Sequence, residues 1–340
     1  MAEAYRRFGD ESFDDYFVRL FEHKVEYGLN CVRIAELLNA QPEVDEPFRE
    51  CKWRKDYRIF NRGRMYERAR HERGVETRIL SISDLHVPFQ KPVSVFSEYT
   101  GKIDILQING DIVDFAGLSS FPKMFRSSPV EEMIKARKYL IDLIAMLRPK
   151  RVVVTYGNHD ARFGTALAKA LDNELIELTP ETELDYIFND GFYHYDKIAH
   201  TRAYYEPICE VFPDISIEYA GKWHTQIGQV IFCHPRAFKS APMKTAQDAM
   251  MWFRNEGMVF SGLVMAHTHR LGNYAVGNTV LYEQGCCCET SKMSYANGKL
   301  TMSQKEGFLY LCLDKDGAPI RECSKLVSLN WLMNISFANF

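Results

Sequence analysis

Short apolar runs along the chain predict a series of buried strands. Residues 77–82 (TRILSI), 103–108 (IDILQI) and 151–156 (RVVVTY) are rich in β-branched side chains and are followed by polar residues. Similar runs later in the chain, the last of them spaced like antiparallel hairpins, are residues 228–233, 262–265, 279–283 and 307–313.

A helical pattern separates the second and third of these strands. Ser128, Pro129 and Glu131 are typical of a helix start, as N-cap, first-turn proline and capping-box glutamate. Apolar residues then recur at helical spacing, and Arg148 and Pro149 end the pattern. Strand, helix and strand in this order predict a right-handed parallel crossover. Residues from about 77 to 325 are therefore expected to form an α/β sandwich with a mixed sheet.

The N-terminal part of the chain has a different pattern. Residues 11–27 are amphipathic, residues 31–39 indicate a second, shorter helix, and a third is expected from Glu46 to about Arg58. Residues 1–51 carry a net charge of −6, whereas residues 52–73 carry +6. This break predicts two domains: a helical, helix-turn-helix-like module at 1–74 that ends in a basic segment, and an α/β domain at 75–340.

The basic segment has two interpretations, which stay open at this point. Aromatic residues alternate with its charges, and basic plus aromatic side chains are what phosphate neutralisation and base stacking use. In that case residues 46–73 bind DNA or RNA. Alternatively, the segment is a solvated charged helix whose aromatic residues pack on the α/β domain; these are Trp53, Tyr57, Phe60 and Tyr66.

Composition indicates the class of protein and its expected location. Hydrophobic residues make up 46% and charged residues 26%, as in ordinary globular proteins. No long apolar run occurs and the first residues are charged, so neither a membrane span nor a secretory signal is expected. Nine cysteines without a C-x-x-C spacing fit a reducing interior, so a cytoplasmic location with no membrane partner is expected. Cys286, Cys287 and Cys288 are interpreted as small buried hydrophobes rather than a soft metal site, because adjacent side chains of an extended chain alternate in direction.

Polar side chains follow five of the predicted strands directly. The carboxyl ends of strands are where open α/β sheets build their sites, and five of the ten histidines lie there: His86, His159, His234, His267 and His269. Asp, His and Asn without cysteine are ligands for borderline or hard divalent ions. One carboxylate can bridge two such ions about 3.5–4 Å apart.

The ordered motifs resemble the calcineurin-like metallophosphoesterases: Asp84-x-His86, Gly110-Asp111-x-x-Asp114, Gly157-Asn158-His159-Asp160, His234 and His267-x-His269. The resemblance implies a four-layer α/β/β/α sandwich with two divalent metal ions, Mn²⁺ first and Fe²⁺, Zn²⁺ or Ni²⁺ as other candidates. It also implies roles for individual residues. Asp84, His86 and His269 would hold the first ion, Asn158, His234 and His267 the second, and Asp111 would bridge both. His159 would act near the scissile phosphate, oriented by Asp114.

Two departures from the family pattern make a Ser/Thr protein phosphatase the less expected branch of the family. Phe115 stands where the Ser/Thr protein phosphatases of the family carry a phosphate-binding arginine, and Asp160 stands where they carry glutamate. The Gly-Asn-His-Asp motif is shared with DNA-repair nucleases and small phosphodiesterases. Arg162 is either a substitute phosphate clamp or a solvated surface residue. Residues 83–89 (SDLHVPF) also look similar to phosphoesterases encoded by phages or prophages.

Three functions follow from these patterns. The first is a phosphodiesterase or nuclease on nucleic acid or nucleotides, in which a metal-bridging hydroxide attacks phosphorus in line. The alternatives are a phosphomonoesterase on nucleotides or small phosphate esters, and a DNA-binding regulatory protein with an inactive phosphoesterase body. The apolar tail, residues 326–340, either covers the body or pairs subunits of a homo-oligomer.

Overall fold

The computed structural model describes residues 5–71, 74–119, 127–197, 199–292 and 304–329. Contacts divide the chain into two units, Met1–Arg73 and Gly74–Phe340. None of the described helices is long and apolar enough to cross a membrane.

The first unit is helical: α1 is Phe13–Glu22, α2 is Cys31–Asn39 and α3 is Glu50–His71. The first helix is shorter than the predicted 11–27, because its apolar face ends at Phe21 and Val25 is 82% exposed. The third begins after the predicted Glu46 and runs well beyond Arg58, through a segment rich in good helix formers such as Arg, Met and Glu.

The core of this unit includes two of the aromatic residues of the basic segment. Trp53 is buried and donates from Nε1 to Asn39 Oδ1 at 3.0 Å. Tyr57 stacks on Phe21 with ring centroids 4.7 Å apart. These two side chains belong to the helical unit's own core, which neither interpretation predicted. Phe60 is 43% exposed, and the side chain of Tyr66 lies outside the described residues.

The strands of the second unit, within the described residues, are β1 Thr77–Ile82, β2 Ile105–Asn109, β3 Arg151–Thr155, β4 Phe192–Asp196, β5 Thr201–Tyr205, β6 Ser216–Tyr219, β7 His224–Ile227, β8 Val230–Cys233, β9 Gly262–Met265, β10 Leu271–Val276, β11 Thr279–Gln284, β12 Gly307–Leu313 and β13 Lys325–Ser328. Its helices are α4 Pro129–Leu147, α5 Arg162–Ala170, α6 Asn173–Ile176, α7 Ile208–Val211 and α8 Lys244–Asn255.

These strands form two larger sheets and a hairpin. The first sheet has the order β13-β12-β1-β2-β3-β6 and the second the order β10-β11-β9-β8-β7, while β4 pairs with β5. Ile79 and Val153 of the first sheet share one apolar cluster with Phe232 and Val264 of the second. The outer face of the first sheet packs on α4, and that of the second packs on α8. The result is the expected four-layer α/β/β/α sandwich.

The predicted hairpin pairing of the later strands is wrong for β9 and β11. β9 and β11 are parallel neighbours rather than a hairpin, because β10 lies between them in the chain and pairs antiparallel with β11. The sequence did not reveal β10, whose residues are mostly exposed at the edge of the sheet. Ser128 is the N-cap of α4, but its side chain makes no capping hydrogen bond. The C-terminal residues 330–340, and with them most of the apolar tail, lie outside the described residues.

Candidate metal centre

The candidate chemistry lies where strands of the two sheets end. β1, β2 and β3 are parallel neighbours, as are β8 and β9, so the carboxyl ends of each set lie at one edge. The side chains that follow these strands come together in groups of metal-ligating type. Five of them have a left-handed backbone with φ between +46° and +78°: Asp84, His86, Asp111, His267 and His269. Such a conformation costs roughly 1–3 kcal/mol per non-glycine residue.

Three donor atoms form the first group. Oδ1 of Asp84 lies 3.1 Å from Nε2 of His269 and 3.9 Å from Nε2 of His86. The two histidine Nε2 atoms are 3.2 Å apart. Two ligand atoms that each lie about 2.1 Å from one ion can be separated by at most about 4.2 Å. All three separations meet this limit, so the group fits one divalent ion.

The second group, formed by Asp111, His234 and His267, lies beside the first. Oδ2 of Asp111 is 3.3 Å from Nε2 of His234 and 3.7 Å from Nε2 of His86. His267 offers a ring nitrogen within 4.8 Å of donor atoms of Asp111 and His234. Asn158 lines the same cavity as His234. Asp111 is therefore placed between the two groups, as a bridging carboxylate would be.

Hydrogen bonds orient the ligand nitrogens. Nδ1 of His234 lies 2.7 Å from the Asn109 carbonyl oxygen, which accepts its proton and leaves Nε2 free for a metal. Nδ1 of His86 lies 3.3 Å from Oδ1 of Asp114, and its Nε2 lies among the donor atoms of the first group. Metal-bound histidines usually have this arrangement, in which a carbonyl or carboxylate fixes the tautomer.

Buried polar atoms provide an independent test of the fit. Oδ1 of Asp84, Oδ1 of Asn158 and Nε2 of His234 are buried, yet make no hydrogen bond with the described residues. Buried polar atoms are rarely left without a hydrogen bond, since this costs about 1–3 kcal/mol each. Because each of these atoms is also a good ligand for a divalent ion, the residues present fit a metal centre.

The pKa values indicate how the same groups share charge without an ion. Burial alone would raise the pKa of Asp84, but the neighbouring His269 and His234 outweigh it and hold that pKa at about 2. Burial would lower the pKa of His234, but Asp111 and Asp84 raise it to about 9. Burial and the charge of His234 lower the pKa of His267 to about 4. The carboxylates are thus ionised and ready to bind a cation, which would compete with the proton on His234.

His159 lies at the edge of the first group. Its Nδ1 is 3.0 Å from the Asp114 carbonyl oxygen and 3.1 Å from Asp114 Oδ1. Arg162 donates to the same carbonyl at 2.7 Å and contacts Nε2 of His159 at 3.0 Å. Asp114 thus contacts both His159 and His86. Arg162 is partly buried and hydrogen-bonded at the site rather than freely solvated.

Asp160 has a structural task that sequence reasoning missed. Its buried carboxylate accepts hydrogen bonds from the backbone N–H groups of Asp111, Ile112, Val113 and Gly157, at 2.7–3.2 Å. One side chain therefore ties the loop after β2 to the loop after β3. The signal in the sequence was the Gly-Asn-His-Asp motif itself, which had served only to distinguish branches of the family.

Two glycines allow these loops to approach each other. A Cβ atom on Gly157 would lie 2.1 Å from Oδ1 of Asp111. Gly110 has φ +78°, and a Cβ there would lie 2.5 Å from Nδ1 of His234. Any larger residue would displace a candidate ligand, so the glycines of both motifs are needed for the spacing of the site.

The three adjacent cysteines are buried, as expected of small hydrophobes. Cys287 packs in the main core, whereas Cys286 and Cys288 form a separate cluster with Phe89, as alternation along an extended chain requires. The sulfur atoms of Cys286 and Cys288 also lie within 4.8 Å of a His269 ring nitrogen. They border the first donor group.

Comparison with known proteins gives one family for each unit. Residues 77–271 match the calcineurin-like phosphoesterase family, and residues 2–72 match the YonJ N-terminal domain family. A search of curated proteins gave no significant match.

Several solved structures are similar to the chain at low identity. Vacuolar Protein Sorting 29 from Cryptosporidium parvum is 16% identical, with a TM-score of 0.35 over 75% of this chain and 98% of that chain. A conserved protein from Streptococcus pneumoniae TIGR4, described as a predicted phosphoesterase, is 14% identical, with a TM-score of 0.30 over 74% and 97%. A protein described as a novel archaeal phosphodiesterase is 12% identical, with a TM-score of 0.30 over 74% and 99%. Because these scores are low, the family assignment rests on the match over residues 77–271.

Proposed function

This chain belongs to the calcineurin-like phosphoesterase family, and from that premise we propose that it is a two-metal phosphodiesterase of nucleotides or nucleic acid. Membership makes it a metal-dependent phosphoester hydrolase. The observation that carries the finer proposal is the pair of adjacent donor groups at the ends of the strands, with Oδ2 of Asp111 within 3.7 Å of Nε2 of His86 in one group and 3.3 Å of Nε2 of His234 in the other.

Seven residues would hold the two ions. Asp84, His86 and His269 bind one ion, Asn158, His234 and His267 bind the other, and Asp111 binds both. The short distances within the first group and the position of Asp111 between the groups support this division. Oxygen and imidazole ligands suit Mn²⁺, with Fe²⁺, Zn²⁺ and Ni²⁺ as competitors.

The chain's own groups prepare the remaining chemistry. When bound, the two ions acidify a water molecule and neutralise charge on the phosphoryl oxygens. His159 is assigned to the leaving oxygen, because Asp114 accepts its Nδ1 proton and leaves Nε2 as the nitrogen that exchanges a proton with substrate. Arg162, whose guanidinium contacts that Nε2, attracts a phosphoryl oxygen instead.

A diester is favoured over a monoester by the charge near the site. A phosphomonoester carries about −1.5 to −2 at neutral pH, whereas a diester carries a single negative charge. Phe115 is fully buried against Phe163, at a position where the family's protein phosphatases have a phosphate-binding arginine. Arg162 is held by Asp114. The single guanidinium of Arg162, which also binds Asp114, suits the smaller negative charge of a diester.

The helical unit would bind the nucleic acid. Lys55, Arg58 and Arg62 recur at helical spacing along one side of α3, and all three are exposed. No ion pair joins them to any described residue, in contrast to Lys52, which pairs with Asp56. Unpaired basic residues in a row suit contact with successive phosphates, which would release counterions and make binding depend on salt.

Hydrolysis of two chromogenic esters tests the proposal. Bis(p-nitrophenyl) phosphate and p-nitrophenyl phosphate are compared with Mn²⁺ present and with Asp111→Asn as the blank. We expect the diester to be cleaved with the higher kcat/KM. A preference for the monoester would make the chain a phosphomonoesterase, and turnover that survives in Asp111→Asn would contradict the assigned centre.

A further inference from the structure

A cavity of about 650 Å³ opens beside the second donor group. Asn158 and His234 line it, so it adjoins the position assigned to the second ion. Its volume is within the roughly 300–1,000 Å³ typical of small-molecule sites. A group seated in this cavity is therefore a neighbour of the phosphorus under attack.

Aromatic side chains form part of the cavity wall. Trp223 and Trp252 line the cavity together with Tyr156. The two indole rings lie 5.3 Å apart between centroids, and Trp223 stacks on the buried Phe253 with an interplanar angle of 26°. Trp252 is nevertheless 44% exposed. Trp252 packs against Trp223 and is partly exposed, so it is a suitable stacking surface for a planar ring.

Helix α8 presents this surface because of its sequence spacing. Thr245, Ala249 and Trp252 recur at helical spacing and all line the cavity. Ala249 is small and leaves room between the other two. Met251, on the same helix, is 51% exposed and is not among the lining residues.

Backbone hydrogen bonds fix the wall at a set position relative to the donor groups. The His234 N–H donates to the Trp223 carbonyl at 2.9 Å, and the Tyr156 N–H donates to the Lys222 carbonyl at 3.1 Å. The segment that carries Trp223, directly before β7, is thus tied to a candidate ligand and to the chain just before Asn158. These backbone hydrogen bonds therefore fix the distance between the aromatic side chains and the candidate metal centre.

A cation stands at the border of the cavity. Arg236 lines it and also lines a second cavity of about 370 Å³, which shares Tyr156 with the first. The Arg236 side chain makes no hydrogen bond or ion pair with the described residues. An exposed guanidinium between two cavities suits a ligand that continues from one to the next with a further phosphate.

We propose that this cavity is a base-binding subsite, which takes the purine or pyrimidine ring of the nucleotide whose phosphodiester is cleaved. Trp252 stacks on the base, and Arg236 contacts the adjoining phosphate. The proposal rests on the proposed phosphodiesterase function and names the side of the substrate that the enzyme recognises. It makes Trp252 a specificity residue rather than a catalytic residue.

Two esters with the same leaving group test the subsite. Thymidine 5′-monophosphate p-nitrophenyl ester carries a base, and methyl p-nitrophenyl phosphate does not. Base stacking on an aromatic residue is worth about 1–3 kcal/mol, so Trp252→Ala should reduce the preference for the nucleoside ester by roughly 5- to 150-fold, mainly through KM. Trp252→Phe should restore most of the preference. Met251→Ala, a neighbour outside the cavity, should leave it unchanged.

A binding measurement separates the two proposals. With Mn²⁺ present, thymidine 5′-monophosphate should quench tryptophan fluorescence saturably in the wild type and weakly in Trp252→Ala, whereas ribose 5-phosphate should quench neither. Base-dependent quenching without hydrolysis of either ester would overturn the phosphodiesterase function and leave the subsite standing. Hydrolysis of both esters with the same preference in wild type and Trp252→Ala would overturn the subsite alone.

Discussion

The two units of this chain bury different kinds of residues. The core of the helical unit consists of Tyr16, Leu20, Ile34 and similar side chains, with charged groups outside. The phosphoesterase unit also buries ionisable groups almost completely, and these lie together at the ends of its strands: Asp84, His86, Asp111, Asp114, Asp160 and His234. Burial of charged groups opposes folding unless a partner or a metal compensates. The unit that buries ionisable side chains is therefore the one that contains the candidate metal centre.

The largest expected loss of activity is at Asp111, the buried carboxylate that is proposed to bind both ions. Asp111→Asn should lower diester hydrolysis by about 10³-fold or more, because metal ions supply several kcal/mol of charge stabilisation that depends on their placement. Hydrolysis with Mn²⁺ and the metal content of the purified protein measure this. Asp142→Asn, an exposed aspartate on α4, is the matched control. Equal losses in the two variants would contradict the role of Asp111.

A smaller loss of rate is expected at His159. His159→Ala should lower turnover by about 10²–10⁴-fold, the usual range for a general acid, and retain most of the bound metal. Kinetics and metal analysis on the same sample separate the two effects. If the variant lost its metal, His159 would be a ligand, and the division between ligand and acid would be wrong.

Asp160 tests the contrast between buried and exposed carboxylates. Asp160→Ala should lower the free energy of unfolding by about 2–4 kcal/mol, because it leaves several buried backbone N–H groups without an acceptor. Asp172→Ala removes an exposed N-cap that accepts from Glu174 and should cost about 1 kcal/mol or less. Urea unfolding of the metal-free variants gives both values. Similar losses would mean that the carboxylate of Asp160 is no more important than a surface cap.

Glu183 provides a test by pH. Burial and the adjacent Asp160 raise its pKa well above the ordinary value. The folded state then keeps a proton that the unfolded state releases above about pH 4.3, so stability falls as pH rises toward the raised pKa, with a slope of about 1.4 kcal/mol per unit. Glu183→Gln removes this contribution, and its stability relative to wild type should rise with pH. The free energies of unfolding of the two metal-free proteins are measured from pH 4 to 8. A difference between them that is the same at every pH would refute this.

The smallest effect on stability is expected in the helical unit. Replacing Lys55, Arg58 and Arg62 together by alanine should change the free energy of unfolding by about 0.5 kcal/mol or less, because exposed residues contribute little. Binding of the chain to DNA should nevertheless weaken, and its dependence on salt should become less steep. Fluorescence anisotropy at two salt concentrations measures this. Lys138→Ala on α4 is the control, and unchanged DNA binding in the triple variant would remove α3 from the interface.

The sequence predicted much of the body because local pattern and chemistry agree there. β1 and β12 are buried apolar runs, and the structure places them at the predicted residues. The polar residues that follow the strands also come together, because parallel strands must deliver their ends to one edge. Family resemblance added the pairing of ligands, which spacing alone could not supply.

Other features depend on partners far away in the chain and could not be predicted. β10 has mostly exposed residues, and its pairing with β11 makes it a strand. The role of Asp160 depends on the backbone of another loop, and Trp53 is buried by helices that precede it. The aromatic wall beside the metal centre joins Trp223 and Trp252 from separate elements, which no local pattern connects.

The left-handed backbone at five of the seven candidate ligands has a consequence for the history of such proteins. Glycine or asparagine would relax these positions, so mutation alone tends to replace the ligands with residues that fold more easily. A descendant released from selection for hydrolysis should drift toward a sturdier fold without a metal site. Conversely, a lineage that keeps all five strained residues is expected to have remained under selection for the metal site.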